Sequence, residues 1–321
     1  MLTRRYLRIK VLQELFTFFT SPKAEFAQGE KKLLENIDRI FDVYIYQLSY
    51  LIELSEFAKV RMEEAKNKFF PTEEEQNPNL KFTENKFLKQ ISDNRAYKMH
   101  YDRLHINWSD ESELLRTTWS KIKESKQYSA YLYKKEDSYD ADKNFVKILV
   151  NDFLIDDELF ISFLEDKNIN WINDYDAALI MIDKSLKQFD EQRDEYSPLP
   201  KVYTAPDSVT GRNEDRDFVR KLYRTAIFNS EEYNTLIGDR AQNWDFDRIA
   251  LMDIIIIKMA ITEFTEFDSI PTKVTMNEYI ELSKVFSTPK SKKFINGILD
   301  KLLGQFEKEG KVKKIGRGLL K

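Results

Sequence analysis

Chain breakers are scarce in this sequence. Eight Gly and 8 Pro are spread through 321 residues, too few for the turns that an all-β chain of many short strands requires. The segments between them are long, and apolar residues recur through them every three or four positions, the spacing of an amphipathic helix. The fold expected is all-α. A hydrophobic content of 42% is enough to fill a core in each of two domains of ordinary size.

Leu7, Val11, Leu15, Phe18 and Phe19 share one face of a first helix that Thr20-Ser21-Pro22 stops. Arg4, Arg5 and Arg8 lie mostly off that stripe. Cations near a helix N-terminus oppose its dipole, so these arginines are not there to stabilise the helix. Residues 30–66 form a second helical stretch, and Phe41, Tyr44, Tyr46 and Tyr50 in it read as core rather than as a base-stacking platform. Phe70-Pro71 to Pro78 is a loop, and further helices are expected near 83–98, 110–135, 141–166 and 173–190. The most extended loop signal runs from Tyr196-Ser197-Pro198-Leu199-Pro200 to Gly211-Arg212-Asn213, which sets the main boundary there.

A weak internal repeat crosses that boundary. Asp142, Phe145, Val146, Leu149, Asn170, Trp171, Asp174 and Ala177 recur 73 residues later as Asp215, Phe218, Val219, Leu222, Asn243, Trp244, Asp247 and Ala250, and a third Asn-Trp pair stands at Asn107-Trp108. Duplication of a helical module and convergence between amphipathic helices both account for it. Trp244, Ile249, Met252, Ile256 and Met259 then mark a buried helix side, and the run Ile254–Ile257 implies burial on several sides, as in a central helix. Asp268-Ser269-Ile270-Pro271 breaks that helix. Thr275 and Glu278 have capping-box spacing, which starts a new helix at Met276. Thr288 as cap and Pro289 as first residue start a last helix that opens with Lys290, Lys292 and Lys293. Free amides and lysines at one helix start suit an anion.

The net charge is −4, yet residues 1–22 and 214–321 carry 23 Lys/Arg against 18 Asp/Glu, a surplus of five that leaves −9 on the 191 residues between them. From Lys290 to Lys321 ten basic residues face three acidic ones. That excess can feed a phosphate-binding surface, although residues 306–321 read as a solvated basic tail. Catalytic constellations are missing. There is no Cys, the two histidines His100 and His105 fall on different helix faces, and neither a Gly-rich phosphate loop nor a Gly-x-Ser-x-Gly elbow occurs. Neither an enzyme nor a cofactor or metal site is expected. Arg8, Lys10, Gln13 and Glu14 interrupt any signal-peptide core, and no stretch approaches the ~18 apolar residues of a membrane span, so a cytoplasmic protein is expected.

Two segments carry a resemblance. Ile270-Pro271-Thr272-Lys273-Val274-Thr275-Met276-Asn277-Glu278-Tyr279-Ile280-Glu281-Leu282-Ser283-Lys284 and Ser291-Lys292-Lys293-Phe294-Ile295-Asn296-Gly297-Ile298-Leu299-Asp300-Lys301 resemble the signature of the NusB family of transcription antitermination factors. Arg4, Arg5 and Arg8 with Gln13, Leu15 and Phe16 are similar to that family's opening helix. The resemblance covers residues 3–20 and about 214–303. It implies an all-α fold of two small helical subdomains, split here by a long acidic helical insertion: 1–22 as first helix, 23–213 as insertion, 214–305 as C-terminal core and 306–321 as tail. It further implies that boxA RNA is bound together with the ribosomal protein NusE in an RNA polymerase antitermination complex acting on ribosomal RNA operons. Arg4, Arg5, Arg8, Lys292, Lys293 and Phe294 would then touch RNA. Lys290, where some members are acidic, would add positive charge, and Asp253 and Glu263 are candidates for the NusE contact. The same module opens some ribosomal RNA cytosine methyltransferases, whose catalytic Cys this Cys-free chain lacks. The alternative is a protein-only helical scaffold in which the acidic insertion covers or replaces the RNA surface.

Overall fold

The computed structural model describes residues 2–241 and 249–319, with Asn170 and Ile172 described in their backbone alone. Among the described residues there is no strand. The helices, in chain order, are α1 (Arg4–Thr20), α2 (Phe26–Asp38), α3 (Ile40–Lys66), α4 (Glu73–Gln76), α5 (Lys86–Asp93), α6 (Arg95–Arg103), α7 (Ser112–Lys123) and α8 (Lys126–Tyr133). Next come α9 (Tyr139–Leu149), which runs into a π-helical turn at Val150–Leu154, then α10 (Glu158–Lys167) and α11 (Tyr175–Gln188). The last five are α12 (Glu214–Phe228), α13 (Ser230–Arg240), α14 (Leu251–Glu266), α15 (Thr272–Phe286) and α16 (Ser291–Lys308). They divide into a middle unit, Asp38–Val202 with Leu2, and a terminal unit, Thr3–Ile37 with the described residues from Tyr203 on.

In the middle unit the first half of α3 is buried nearly all round, from Val43 to Leu51. Its Tyr44 hydroxyl meets Ser185 Oγ on α11 at 2.6 Å, and Gln47 Nε2 donates to the Tyr175 carbonyl at 3.0 Å. Tyr50 stacks on Phe160 with centroids 4.1 Å apart, while Trp108 and Trp171 pack around Tyr46. The aromatic run is therefore core. The loop expected at 70–78 contains the single turn α4, closed by a real capping box between Thr72 and Glu75.

The 73-residue repeat has a structural counterpart at its first four positions. Asp142 and Asp215 are both buried, and each accepts a backbone N–H from an earlier segment at 2.8 Å, from Lys86 and Thr204 respectively. Phe145, Val146 and Leu149 are buried, as are Phe218, Val219 and Leu222. At the far end Ala177 is buried whereas Ala250 is exposed. Asn243, Trp244 and Asp247 lie outside the described residues, and with them the expected burial of Trp244.

The terminal unit is built around α14, which is buried without interruption from Asp253 to Phe264 and packs against α1, α12, α13, α15 and α16. This unit is larger than segments 1–22 and 214–305, because residues 23–37 belong to it. Phe26 of α2 stacks on Tyr223 at 5.7 Å, and Arg224 of α12 makes a bidentate pair with Glu30 at 2.6 and 2.8 Å. Two helix starts also differ from expectation. α15 begins at Thr272, just after Pro271, whose carbonyl accepts the Thr275 N–H at 3.1 Å, so Thr275 lies inside the helix with its hydroxyl turned to Glu263. The last helix begins at Ser291 rather than Pro289. Thr288 Oγ1 bonds Ser291 Oγ at 2.8 Å instead of capping an amide. Nor is the stretch past 305 a solvated tail as far as residue 319. Phe306 is buried, α16 closes at Gly310 with φ +67°, and the chain then returns to the end of α14, where Ile315 N–H donates to the Asp268 carbonyl at 3.0 Å.

Burial of α14 on all sides traps a cation. Lys258 is 3% exposed, donates to Ser230 Oγ at 2.6 Å and lies 4.6 Å from the centroid of Phe19. Burial lowers its ammonium from 10.5 to about 8, with Glu231 acting in the opposite direction. A base held below its unfolded value binds fewer protons folded than unfolded between those two values, so stability rises with pH across that window. We expect wild-type stability to climb from pH 8 to 9.5. Lys258→Met should gain up to about 3 kcal/mol at pH 7 and lose most of that slope. Urea unfolding at four pH values checks both.

Candidate nucleic-acid interface

The three arginines of α1 have different fates. Arg4, with a side chain 34% exposed, lies 3.5 Å from Glu214 and 4.0 Å from Asp215, its guanidinium 5.2 Å from the centroid of Phe218. Arg5 makes a bidentate pair with Glu278 of α15 at 3.0 and 2.8 Å yet keeps 49% of its side chain exposed. Arg8 points inward. It is 3% exposed and binds Glu263 of α14 bidentately at 2.8 and 2.7 Å. Glu263, 0% exposed, also accepts from Thr275 Oγ1 at 2.8 Å and Tyr279 OH at 3.1 Å.

This arrangement corrects three expectations. Arg8 cannot offer its donors to a phosphate, because a charge taken out of water holds its geometry only when paired and hydrogen-bonded, and Glu263 supplies both. Glu263 is not a surface contact for a partner but the anion of that pair. Burial alone would lower the Arg8 guanidinium, and the charge and hydrogen bonds of Glu263 outweigh it and raise the group. Burial, then Glu263, pushes Tyr279 well up as well, so its hydroxyl keeps the proton it donates. Asp253, the other partner candidate, is 5% exposed and accepts from Ser287 Oγ in the α15–α16 connection. Ser287 Oγ also meets Ser291 Oγ at 3.0 Å, so Asp253 helps fix where α16 begins.

Lys290, Lys292 and Lys293 are exposed around that beginning, and none pairs with a carboxylate among the described residues. No side chain caps α16, which leaves first-turn amides available beside them. Phe294 is half-buried. The surface carboxylate of Glu281 joins the two ends of the site. Lys284 is the main cause holding it below the usual range, and Arg5 and Lys292 both add to the effect. The start of α1 and the first turn of α16 thus both bring a cation near Glu281 of α15. The sequence reading missed Glu278, Thr275, Tyr279 and Phe218, the groups that sort the arginines. In the sequence Glu278 and Thr275 show only the spacing of a capping box.

No helix among the described residues is long and apolar enough to cross a membrane. A model described as the NusB family matches residues 184–303, which contain α12 to α15 and most of α16. Proteins called transcription antitermination protein NusB align with the chain in three organisms. That of Salinibacter ruber is 40% identical over 105 residues, 33% of this chain and 66% of the relative. That of Chloroherpeton thalassium is 38% identical over 115 residues, 36% and 54%. That of Listeria welshimeri is 34% identical over 87 residues, 27% of this chain and 68% of the relative. The chain belongs to the NusB family. It spans just under two thirds and about half of the length of the first two relatives. No solved structure matches it.

Within this NusB-family chain the inner and outer ion pairs should separate cleanly by mutation. Glu263→Gln leaves buried Arg8 only the Glu278 carboxylate, 3.6 Å away and already bound by Arg5, and should cost about 3–5 kcal/mol. Arg5→Ala removes a pair whose arginine is half exposed and should cost less than about 1 kcal/mol. Urea midpoints of the two variants compare them directly, and equal midpoints would remove the distinction drawn between Arg8 and Arg5.

Proposed function

We propose that this protein is a transcription antitermination factor that binds boxA-type single-stranded RNA together with the ribosomal protein NusE, within an RNA polymerase complex reading ribosomal RNA operons. The observation that carries the proposal is the set of unpaired lysines Lys290, Lys292 and Lys293 around an uncapped helix start, on the face that also bears Arg5. Phosphate oxygens recruit such groups by charge and by free amides. Arg4 and Arg5 are engaged by Glu214, Asp215 and Glu278, so RNA reaches them by competing with surface carboxylates. Surface pairs are weak enough to yield, and the lysines supply the first contacts. Phe294, half-buried beside them, offers at most a ring edge to a base. The residues that meet NusE are not among Asp253 and Glu263, which are committed inside the fold.

Lys292→Ala/Lys293→Ala should weaken binding of boxA RNA with helicity unchanged, and should flatten the log–log salt dependence by roughly 0.7 per lost phosphate contact. Arg4→Ala/Arg5→Ala should act the same way but less strongly, because each arginine already spends charge on a carboxylate. Fluorescence anisotropy at several salt concentrations, with and without NusE, reads all of this. A wild-type protein that binds NusE but no RNA would favour a protein-only scaffold instead.

A further inference from the structure

The segment after α16 is bound back onto the protein by main-chain and side-chain contacts. Lys314 Nζ donates to the carbonyls of Glu263 and Phe267, at 3.2 and 2.9 Å, at the C-terminal end of α14, where a cation meets free carbonyls and the negative end of the dipole. Burial is the chief cause lowering its ammonium, opposed by Glu263 and Asp268. The next residue fastens its N–H to the Asp268 carbonyl at 3.0 Å. Gly318 is buried so tightly that a Cβ there would fall 2.0 Å from that same backbone oxygen. A charged segment loses backbone freedom on being ordered, about 1–2 kcal/mol per residue, and here a half-buried lysine, a main-chain bond and a close glycine contact offset that cost.

Two cations are left facing water. Lys313 and Arg317 are exposed and pair with nothing among the described residues, whereas Lys311 is held by Glu309 at 2.9 Å. The segment that carries them is anchored close to where α1 begins. The Phe267 carbonyl takes Lys314, the Phe267 ring packs on Phe218 with centroids 5.0 Å apart, and the Arg4 guanidinium lies over that same Phe218 ring.

We propose that residues 309–319 form a fixed cationic strap that extends the RNA-binding face, with Lys313 and Arg317 contacting phosphates of a single strand beyond those reached by Arg4, Arg5 and the α16 lysines. This rests on the RNA-binding reading given above. The strap works by position: its charges are held at one place, so they meet RNA without the ordering cost that a free tail would incur at binding.

The test compares wild type, K313A/R317A and G318A in the full chain, by anisotropy with a labelled boxA-type RNA oligonucleotide across a salt series, with melting curves to show that each is folded. K313A/R317A should lose roughly tenfold in affinity near physiological salt and about 1.4 from the salt slope, the share of two phosphate contacts. G318A keeps every charge but displaces the strap, and should also bind more weakly. If wild type binds no RNA, the functional reading fails. If wild type binds and K313A/R317A matches it in affinity and slope, the strap proposal alone is overturned. G318A binding as wild type overturns the claim that the strap must be docked, and a loss confined to NusE-dependent binding assigns the strap to a protein and overturns the RNA contact.

Discussion

The terminal unit depends on one buried ion pair, Arg8 with Glu263. Removing two charges from water costs several kcal/mol each, and a pair recovers this only when its geometry is good and its remaining hydrogen-bond positions are filled. Both conditions hold. Glu263 receives two bonds from Arg8, one from Thr275 and one from Tyr279, so α1, α14 and α15 converge on a single carboxylate. Such a pair adds little net stability over an apolar replacement. What it fixes is register: α1 has one rotation that puts Arg8 inside, and that rotation turns Arg4 and Arg5 out.

The outward face follows from this rotation. Arg5 reaches Glu278, one helical turn after Thr275 on α15, and Arg4 reaches the start of α12. At the other end of α14, Asp253 and Ser287 settle the start of α16 and with it the three lysines. A single helix, α14, thus uses its two interior carboxylates to place both halves of the cationic face. The main-chain oxygen of Glu263 meets Lys314 as well, which ties the returning chain end to the same point.

Much of the fold was legible because helical periodicity survives wherever one face packs. The first helix, the aromatic core of α3, the isoleucine run of α14 and the loop through 196–213 all stand where their residue spacing put them. The sorting of the arginines was not legible. Arg8 lies one turn beyond Arg4, and whether such a residue points in or out depends on a buried anion 255 positions away. Thr275 and Glu278 mislead for a related reason: the capping-box pattern fits by spacing, but tertiary partners claim both side chains and the helix starts earlier, at Thr272. The strap was hidden because its determinants, a lysine aimed at carbonyls and a glycine against a backbone oxygen, leave no periodic trace. Family resemblance reached the two basic ends of the chain and had nothing to say of the middle unit, whose core is built from its own aromatics.

The central claim is that RNA meets this protein on the face formed by the starts of α1 and α16. Amide hydrogen exchange of the full chain, with and without boxA-type RNA, tests it most directly, since the first-turn amides of both helices lack intrahelical partners and exchange readily until something covers them. RNA should slow exchange in peptides covering residues 3–8 and 287–296 and leave those of the middle unit, 38–202, unchanged. Protection confined to the middle unit, or absent from both helix starts while RNA is bound, would contradict the account.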